Sequence, residues 1–341
     1  MASRALVIGP GEYAEDSGIP GHPTIRPSAL MYGEALAGDP MWGPESYRVL
    51  VGEEVRTADG VMRALQEAAD ATGPEDILLV VYVGHGQYWS DVPGGQVHFS
   101  VGSSYKDKPW TWLSSWYLYR AMRKAEARLK VLIADCCYSN MLPVLSGEGD
   151  AGVLPGVLGG RDEGSCVFTA VRNVRAADAE GCSALPAPLD RCTPFSGHLL
   201  RVLAGGTKNH LDRLTIGLLR EAVRREMEGC AHHAPGMLLN DARDGTPLFT
   251  NQMERRLRDQ SRIPVSAEEW IRHLMLDQDH HLDELLADER MLGDIVGSLN
   301  KRSDDASRSL AHHLDEKANA RFQEAETFAR YWNRVERALR T

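Results

Sequence analysis

One short stretch of the sequence, residues 130–140, constrains the fold more than any other. Its apolar part, residues 131–134, is continuous and rich in β-branched side chains, which predicts a strand buried on both faces of a mostly parallel sheet. The run ends abruptly on Asp135, Cys136 and Cys137. In sheets of this kind, binding sites lie beyond the carboxyl ends of the strands. We therefore expect an α/β fold, with helices on both faces of the sheet and a site at the end of this strand.

A second apolar run, residues 77–83, ends on Gly84, His85 and Gly86. If both runs are parallel strands of one sheet, the imidazole of His85 and a thiol of the first motif meet at the same edge. A thiolate is a nucleophile, and a neighbouring imidazole assists its formation and later protonates the leaving amine. The glycines let backbone N–H groups approach a developing oxyanion. The pattern favours acyl transfer by a cysteine.

The alternative for any single cysteine is a structural one, because most free cysteines are small apolar core residues. That interpretation is kept for five of the six: Cys136, Cys166, Cys182, Cys192 and Cys230. For Cys137 the neighbouring acid and the Gly-His-Gly segment favour the catalytic interpretation.

The two motifs, Tyr-Val-Gly-His-Gly at 82–86 and Asp-Cys-Cys-Tyr-Ser at 135–139, resemble those of the caspase-like cysteine peptidases, in particular bacterial caspase-like proteins, metacaspases and orthocaspases. Cys137 follows His85 by 52 positions, close to the roughly 50 that separate the pair in caspases. The resemblance covers about residues 4–230. The chain departs from the usual Asp-Cys-Cys-His-Ser-Gly pattern at Tyr138 and Asn140.

The resemblance implies a caspase-like fold with a catalytic dyad of His85 and Cys137, and an oxyanion hole formed by the backbone N–H groups of Gly86 and Cys137. It also implies that Asp135 lies on the floor of the substrate pocket and selects Arg or Lys before the cut bond. Ser28 aligns with a pocket position where metacaspases often carry an aspartate. A structural role for Asp135, capping the turn after the strand, is equally compatible with the sequence.

Charge and composition exclude several function classes. A formal net charge of −10 over 341 residues argues against nonspecific nucleic-acid binding, which needs a basic face. The scattered cysteines lack the paired spacing of metal ligands or a disulfide framework, which favours a reducing, cytoplasmic compartment. The start of the sequence has no signal region, and no apolar run could span a bilayer. We expect a cytoplasmic protein with neither nucleic-acid nor membrane partners.

The chemistry implied by the dyad requires no cofactor or metal. An acidic loop with Glu12, Glu15 and Asp16 leaves a metacaspase-like calcium requirement open. Two nearly repeated His-His-Leu-Asp-Glu segments, 280–284 and 312–316, could also be interpreted as metal ligands. Solvated helix faces explain them better, because the apolar stripe occupies the inward positions.

Two domains are expected, a caspase-like peptidase domain over residues 1–262 and an α-helical accessory domain over residues 263–341. Apolar residues recur at helical spacing through the second domain. By analogy with accessory domains of bacterial caspase-like proteins, these helices would dock a regulatory partner in a defence or cell-death module. The main hypothesis is an intracellular cysteine endopeptidase acting on protein or peptide substrates. The alternative is a catalytically silent caspase-like scaffold for protein–protein interaction.

Four further segments have weaker signals. The patterns predict helices over 115–128 and 211–227 and a strand or hairpin over 96–102. Residues 231–264 show no regular pattern.

Overall fold

The computed structural model of the chain describes residues 3–90, 95–142, 164–172, 176–208, 211–240, 242–253 and 289–319, with Ser266, Glu268, Trp270, Ile271, Leu274, Leu285 and Leu286. The chain divides into two compact units, residues 1–255 and residues 256–341. Among the described residues, no helix is both long enough and apolar enough to cross a bilayer.

The first unit contains eleven described strands: β1 (Arg4–Ile8), β2 (Tyr47–Leu50), β3 (Ile77–Val83), β4 (Gly86–Trp89), β5 (Gln96–Phe99), β6 (Leu113–Ser114), β7 (Leu129–Asp135), β8 (Ser165–Thr169), β9 (Arg213–Thr215), β10 (Gly236–Asn240) and β11 (Pro247–Thr250). Its described α-helices are α1 (Ile25–Gly38), α2 (Ala58–Asp70), α3 (Ser115–Lys124), α4 (Pro194–Gly205) and α5 (Ile216–Glu228).

Six of these strands form one sheet in the order β2-β1-β3-β7-β8-β10. Every neighbouring pair is parallel except β8 and β10, which are antiparallel. The prediction of a mostly parallel sheet is therefore confirmed, with one antiparallel strand at its edge. The two apolar motif strands, β3 and β7, lie side by side in its centre.

Both faces of the sheet are covered, which explains why its central strands are apolar throughout. Side chains alternate between faces along a strand. In β3, Val81 packs in one cluster with α1, α4 and α5, while Val80 packs in another with α2 and α3. Burying an aliphatic side chain of this size contributes about 1.5–3 kcal/mol. The sheet is thus sandwiched between helical layers, as the sequence predicts.

Several elements differ from the sequence patterns. The predicted strand over 96–102 is β5, and it joins β4 and β6 in an antiparallel three-stranded sheet. Helix α3 ends at Lys124, four residues before the predicted end, because β7 already begins at Leu129. The helix predicted over 211–227 begins at Ile216, since residues 213–215 pair with β11 instead. Residues 231–264 include two strands, β10 and β11, that the pattern did not indicate.

The second unit, described by itself, contains helix α6 (Glu289–Leu299) and helical residues 305–319. Its buried apolar side chains include Trp270, Leu285, Ile295, Leu310 and Leu314. The described part is helical, and the accessory domain over residues 263–341 stays a prediction. Of the two His-His-Leu-Asp-Glu segments, 280–284 lies outside the described residues.

Candidate active site

The pairing of β3 with β7 determines which side chains meet at the edge of the sheet. The two strands are in parallel register with Val83 opposite Asp135, and the Gly84 N–H donates a hydrogen bond of 3.0 Å to the Asp135 carbonyl. Two residues further along each chain come His85 and Cys137. Both line one small cavity, whose wall also includes Asp135 and Ala177. The structure therefore brings the imidazole and the thiol of the two motifs to one cleft.

His85 is oriented by the loop that follows β1. Its Nε2 lies 2.8 Å from the Pro20 carbonyl oxygen. A carbonyl only accepts hydrogen bonds, so Nε2 must carry a proton, and in the neutral ring Nδ1 is then the basic nitrogen. The Tyr13 ring packs against the imidazole with centroids 5.6 Å apart. Burial lowers the pKa of His85, the bond to Pro20 opposes this effect, and the nearby His22 adds to the lowering.

Cys137 follows the last residue of β7 by two positions and is half-buried, whereas Cys136 is only 1% exposed. The next residue, Tyr138, has a φ of 57°, a left-handed conformation that is unfavourable for a side chain of its size. The chain therefore turns sharply directly after Cys137. Burial raises the pKa of Cys137, and a hydrogen bond with the Ala177 backbone is the largest effect opposing it. With the lowered pKa of His85, this favours a resting pair of neutral thiol and neutral imidazole.

Close backbone contact between the two motifs requires glycine at Gly86. A Cβ atom there would lie 2.3 Å from the Cys137 carbonyl oxygen and 2.9 Å from Cys136 Sγ. Backbone atoms cannot move away as the end of a flexible side chain can. Gly86 and Cys137, the two residues predicted to supply oxyanion donors, are therefore in direct contact through their backbones.

Asp135 is buried between the cleft and the start of α4. Its Oδ2 accepts hydrogen bonds from Thr193 Oγ1 at 2.5 Å, Ser196 Oγ at 2.5 Å and the Ser196 backbone N–H at 3.2 Å. These donors lie at the start of α4, where free backbone N–H groups favour a negative charge. Burial raises the pKa of Asp135, and these hydrogen bonds oppose the rise. The same residue lines the cleft of His85 and Cys137, so the structural and pocket positions coexist.

Ser28 lies behind the cleft rather than in its wall. It is fully buried on α1, where its hydroxyl donates to the Thr24 carbonyl at 2.7 Å and accepts from the Thr193 N–H at 3.0 Å. Thr193, not Ser28, is among the residues that line the cavity. Any effect of Ser28 on a ligand in the cleft therefore acts through Thr193.

A second acid of the cleft, Asp178, was not indicated by the sequence. It lines the same cavity as Asp135 and contacts His232, whose Nδ1 lies 3.3 Å from Asp178 Oδ2. Its carboxylate also accepts a hydrogen bond from the His233 N–H at 3.2 Å. No local pattern marks this residue, because only the fold carries its loop to the cleft. The cleft thus has two carboxylates.

Another Cys/His arrangement lies within the first unit. Cys182 Sγ is 3.6 Å from His198 Nε2, and Cys230 Sγ is 2.9 Å from the same nitrogen and 3.3 Å from the other sulfur. A buried Cys182/His198 pair near Cys230 could form a catalytic dyad. However, Cys182 is 3% exposed and His198 is 1% exposed, so a peptide cannot reach the pair without rearrangement. The half-buried pair at the cleft is better placed for substrate.

Several of the residues considered as calcium or other metal ligands make contacts within the protein. Asp16 accepts a hydrogen bond from the Tyr105 hydroxyl at 3.3 Å, and Glu12 lies 3.8 Å from the Arg26 guanidinium. His312 Nε2 lies 3.8 Å from Glu316 on an exposed helix surface. The calcium requirement stays a prediction that these contacts do not test.

Comparison with known proteins identifies no family. No protein-family model matches the chain, and none of the curated proteins matches it. Among solved structures, the chain is similar to the protein GSU0716 from Geobacter sulfurreducens, with 18% sequence identity and a TM-score of 0.48. That similarity covers 73% of this chain and 95% of the other.

Proposed function

We propose that the chain is a cysteine endopeptidase of the caspase-like type, with Cys137 as nucleophile and His85 as its acid–base partner. The observation that carries the proposal is the register of β3 and β7, which sets Val83 opposite Asp135 and so directs a histidine and a cysteine into one cleft. The mixed α/β architecture, with a parallel sheet between helices, is compatible with this class of fold. The assignment to the caspase-like type rests on the two sequence motifs at residues 82–86 and 135–139.

The geometry supports a specific proton path. The Pro20 carbonyl holds the Nε2 proton of His85, which leaves Nδ1 to take the proton of Cys137 as the sulfur attacks the substrate carbonyl. The same imidazolium then protonates the leaving amine, and water hydrolyses the thioester. The Pro20 carbonyl thus fixes the tautomer of His85, as the aspartate fixes the tautomer of the histidine in Ser-His-Asp triads. The oxyanion would be bound by the N–H groups of Gly86 and Cys137.

The two carboxylates of the cleft support a preference for Arg or Lys before the cut bond. Asp135 is buried beside the start of α4, and Asp178 is more exposed; both line the cleft. A guanidinium can form charge-assisted hydrogen bonds with such groups, which are about twice as strong as neutral ones. The cleft would repel an acidic side chain for the same reason.

The experiment that tests the proposal compares the two Cys/His arrangements directly. A peptide-like electrophile with an arginine at its recognition position is added to the wild type, and mass spectrometry locates the labelled cysteine. Label on Cys137, and cleavage of an arginyl peptide lost in Cys137→Ala but retained in Cys136→Ala and Cys182→Ala, would support the proposal. Activity lost in Cys182→Ala and retained in Cys137→Ala would assign catalysis to the buried pair.

The alternative function is a catalytically silent scaffold. In that case the peptide-like electrophile would label no cysteine faster than a small thiol reagent of similar intrinsic reactivity does, because the cleft would give it no binding advantage. Under the peptidase proposal, His85→Ala should be about as inactive as Cys137→Ala, and the double variant should be no worse, because nucleophile and base act as a unit. The accessory helices would then dock a regulatory partner of the peptidase.

A further inference from the structure

Three side chains with soft or nitrogen donor atoms converge inside the first unit, and none of them is among the residues that line the cleft. Cys182 lies in the segment before α4, His198 lies within α4, and Cys230 follows the end of α5. Their two sulfurs and one nitrogen all lie within 4.8 Å of one another. The members are 16 to 48 positions apart, so no spacing motif in the sequence announces the cluster.

The spacing of the three atoms is close to that of a metal ligand shell. Zinc binds cysteine sulfur at about 2.3 Å and histidine nitrogen at about 2.0–2.1 Å in tetrahedral geometry. Those bond lengths imply ligand atoms about 3.5–3.8 Å apart. The distances here are 3.6, 3.3 and 2.9 Å. Small rotations of the two cysteine side chains would supply the difference.

The surroundings of His198 provide a second, independent observation. Its Nδ1 is buried and, among the described residues, has no hydrogen-bond partner, although Glu226 Oε2 lies 3.9 Å away. A histidine that binds a metal through one ring nitrogen usually donates its other N–H to a carboxylate, which fixes the tautomer. Coordination at Nε2 would place the proton on Nδ1, facing Glu226. The orphaned nitrogen would then gain its partner.

Two glycines allow the segment with Cys182 to pack closely against α4 and against the turn that precedes it. A Cβ at Gly181 would lie 2.1 Å from the Asp190 carbonyl oxygen, and one at Gly197 would lie 2.4 Å from Leu185 Cδ1. Each glycine is the neighbour of a cluster member. The close packing that they permit is what brings Cys182 to His198.

We propose that Cys182, His198 and Cys230 bind one zinc-class divalent cation, with solvent completing the coordination. Two thiolates and one imidazole are the donors that such a cation prefers. Binding releases the two thiol protons to solvent, while the imidazole binds in its neutral form. A disulfide between the two cysteines would use only two of the three groups and leave His198 Nδ1 without a partner.

Titration of the full-length protein with metal tests the proposal without reference to peptidase activity. The protein is treated with a chelator under reducing conditions, and zinc is then added and its stoichiometry measured after gel filtration. We expect one zinc per chain, with two protons released, seen as a dependence of the binding enthalpy on the buffer. Cobalt in place of zinc should show thiolate charge-transfer and tetrahedral ligand-field bands.

Matched variants locate the site. Cys182→Ala and Cys230→Ala should lose stoichiometric zinc and the cobalt thiolate band, whereas Cys166→Ala removes an equally buried thiol outside the cluster and should retain both. Glu226→Gln changes a partly exposed side chain and should weaken binding by about 10- to 100-fold. This last variant keeps the test informative if a ligand variant fails to fold.

Three outcomes would overturn the proposal. One is a reduced wild type that binds no zinc at micromolar concentration. The second is zinc binding that survives equally in Cys182→Ala and Cys166→Ala. The third is purified protein with Cys182 and Cys230 joined in a disulfide that resists reduction while the fold is intact.

Discussion

Replacing Asp135 by asparagine separates the charge of this residue from its shape. Its Oδ2 accepts three hydrogen bonds from Thr193 and Ser196, so alanine would leave buried donors without an acceptor and confuse specificity with misfolding. Asparagine keeps one carbonyl oxygen that can accept from Ser196. The loss of a charged acceptor for these donors should cost about 1–2 kcal/mol of the free energy of unfolding. The variant should therefore fold.

The expected effect on substrate binding follows from the contacts already made. In the described contacts all three hydrogen bonds go to Oδ2, which leaves Oδ1 of Asp135 as an acceptor for a ligand in the cleft. A hydrogen bond to a charged group contributes about 1.5–3 kcal/mol, and about 1.4 kcal/mol corresponds to a factor of ten. The kcat/KM for a peptide with Arg or Lys before the cut bond should fall by about 10- to 150-fold.

The assay compares two peptides that differ only in the charge of that residue, lysine and acetyl-lysine. It is run at about pH 8, because burial raises the pKa of Asp135 and an alkaline buffer favours its ionised form. The lysyl peptide should lose most of its kcat/KM and the acetyl-lysyl peptide little. The rate with a small thiol reagent should not fall, because it reports Cys137 and His85, and the charge of Asp135 raises the pKa of Cys137, so that its removal favours the thiolate. Asp178→Asn is the matched control, and its effect should be smaller because its side chain is 36% exposed and its charge is screened by solvent. Equal losses for both peptides would refute the reasoning.

Three further measurements test the site and its domain. Burial lowers the pKa of His85 and raises that of Cys137. The kcat/KM should therefore be constant between about pH 6.5 and about pH 8.5 and fall only outside this range. A narrower plateau would contradict a resting pair of neutral thiol and neutral imidazole. Gly86→Ala should lower kcat by about 100-fold or more, because its Cβ would meet the Cys137 carbonyl, whereas Gly205→Ala, with no described atom within 4 Å of the added Cβ, should be active. A chain ended at residue 262 should unfold cooperatively and still cleave a small peptide. An insoluble product would contradict the prediction of two domains.

The central strands could be predicted because their signal is local. A strand covered by helices on both faces must be apolar throughout, and β3 and β7 are recognisable from that property alone. Their polar ends then indicate where a site can form. The choice of Cys137 over Cys136 as nucleophile came instead from the resemblance to the caspase-like motif, and Cys136 is the more buried of the two.

The missed features depend on partners distant in the sequence. Strand β10 pairs with β8 some 70 positions earlier, and β9, of three residues, exists only because β11 pairs with it. The Pro20 carbonyl that orients His85 is a backbone atom, which no residue pattern can report. Asp178 reaches the cleft on an irregular segment. Such contacts are specified by the assembled fold rather than by local periodicity.

The pairing of β3 with β7 also implies something about length tolerance. The relative position of His85 and Cys137 along the strand direction is set by the hydrogen-bond ladder between the two strands, not by the 45 residues, 84–128, that connect them. Loop-closure entropy grows only slowly with added residues. A loop inserted after Asp107, an exposed residue in a turn of this connection, should therefore keep His85 and Cys137 at the same edge of the sheet. By contrast, deletion of a single residue within β7 would turn the following side chains to the other face of the sheet.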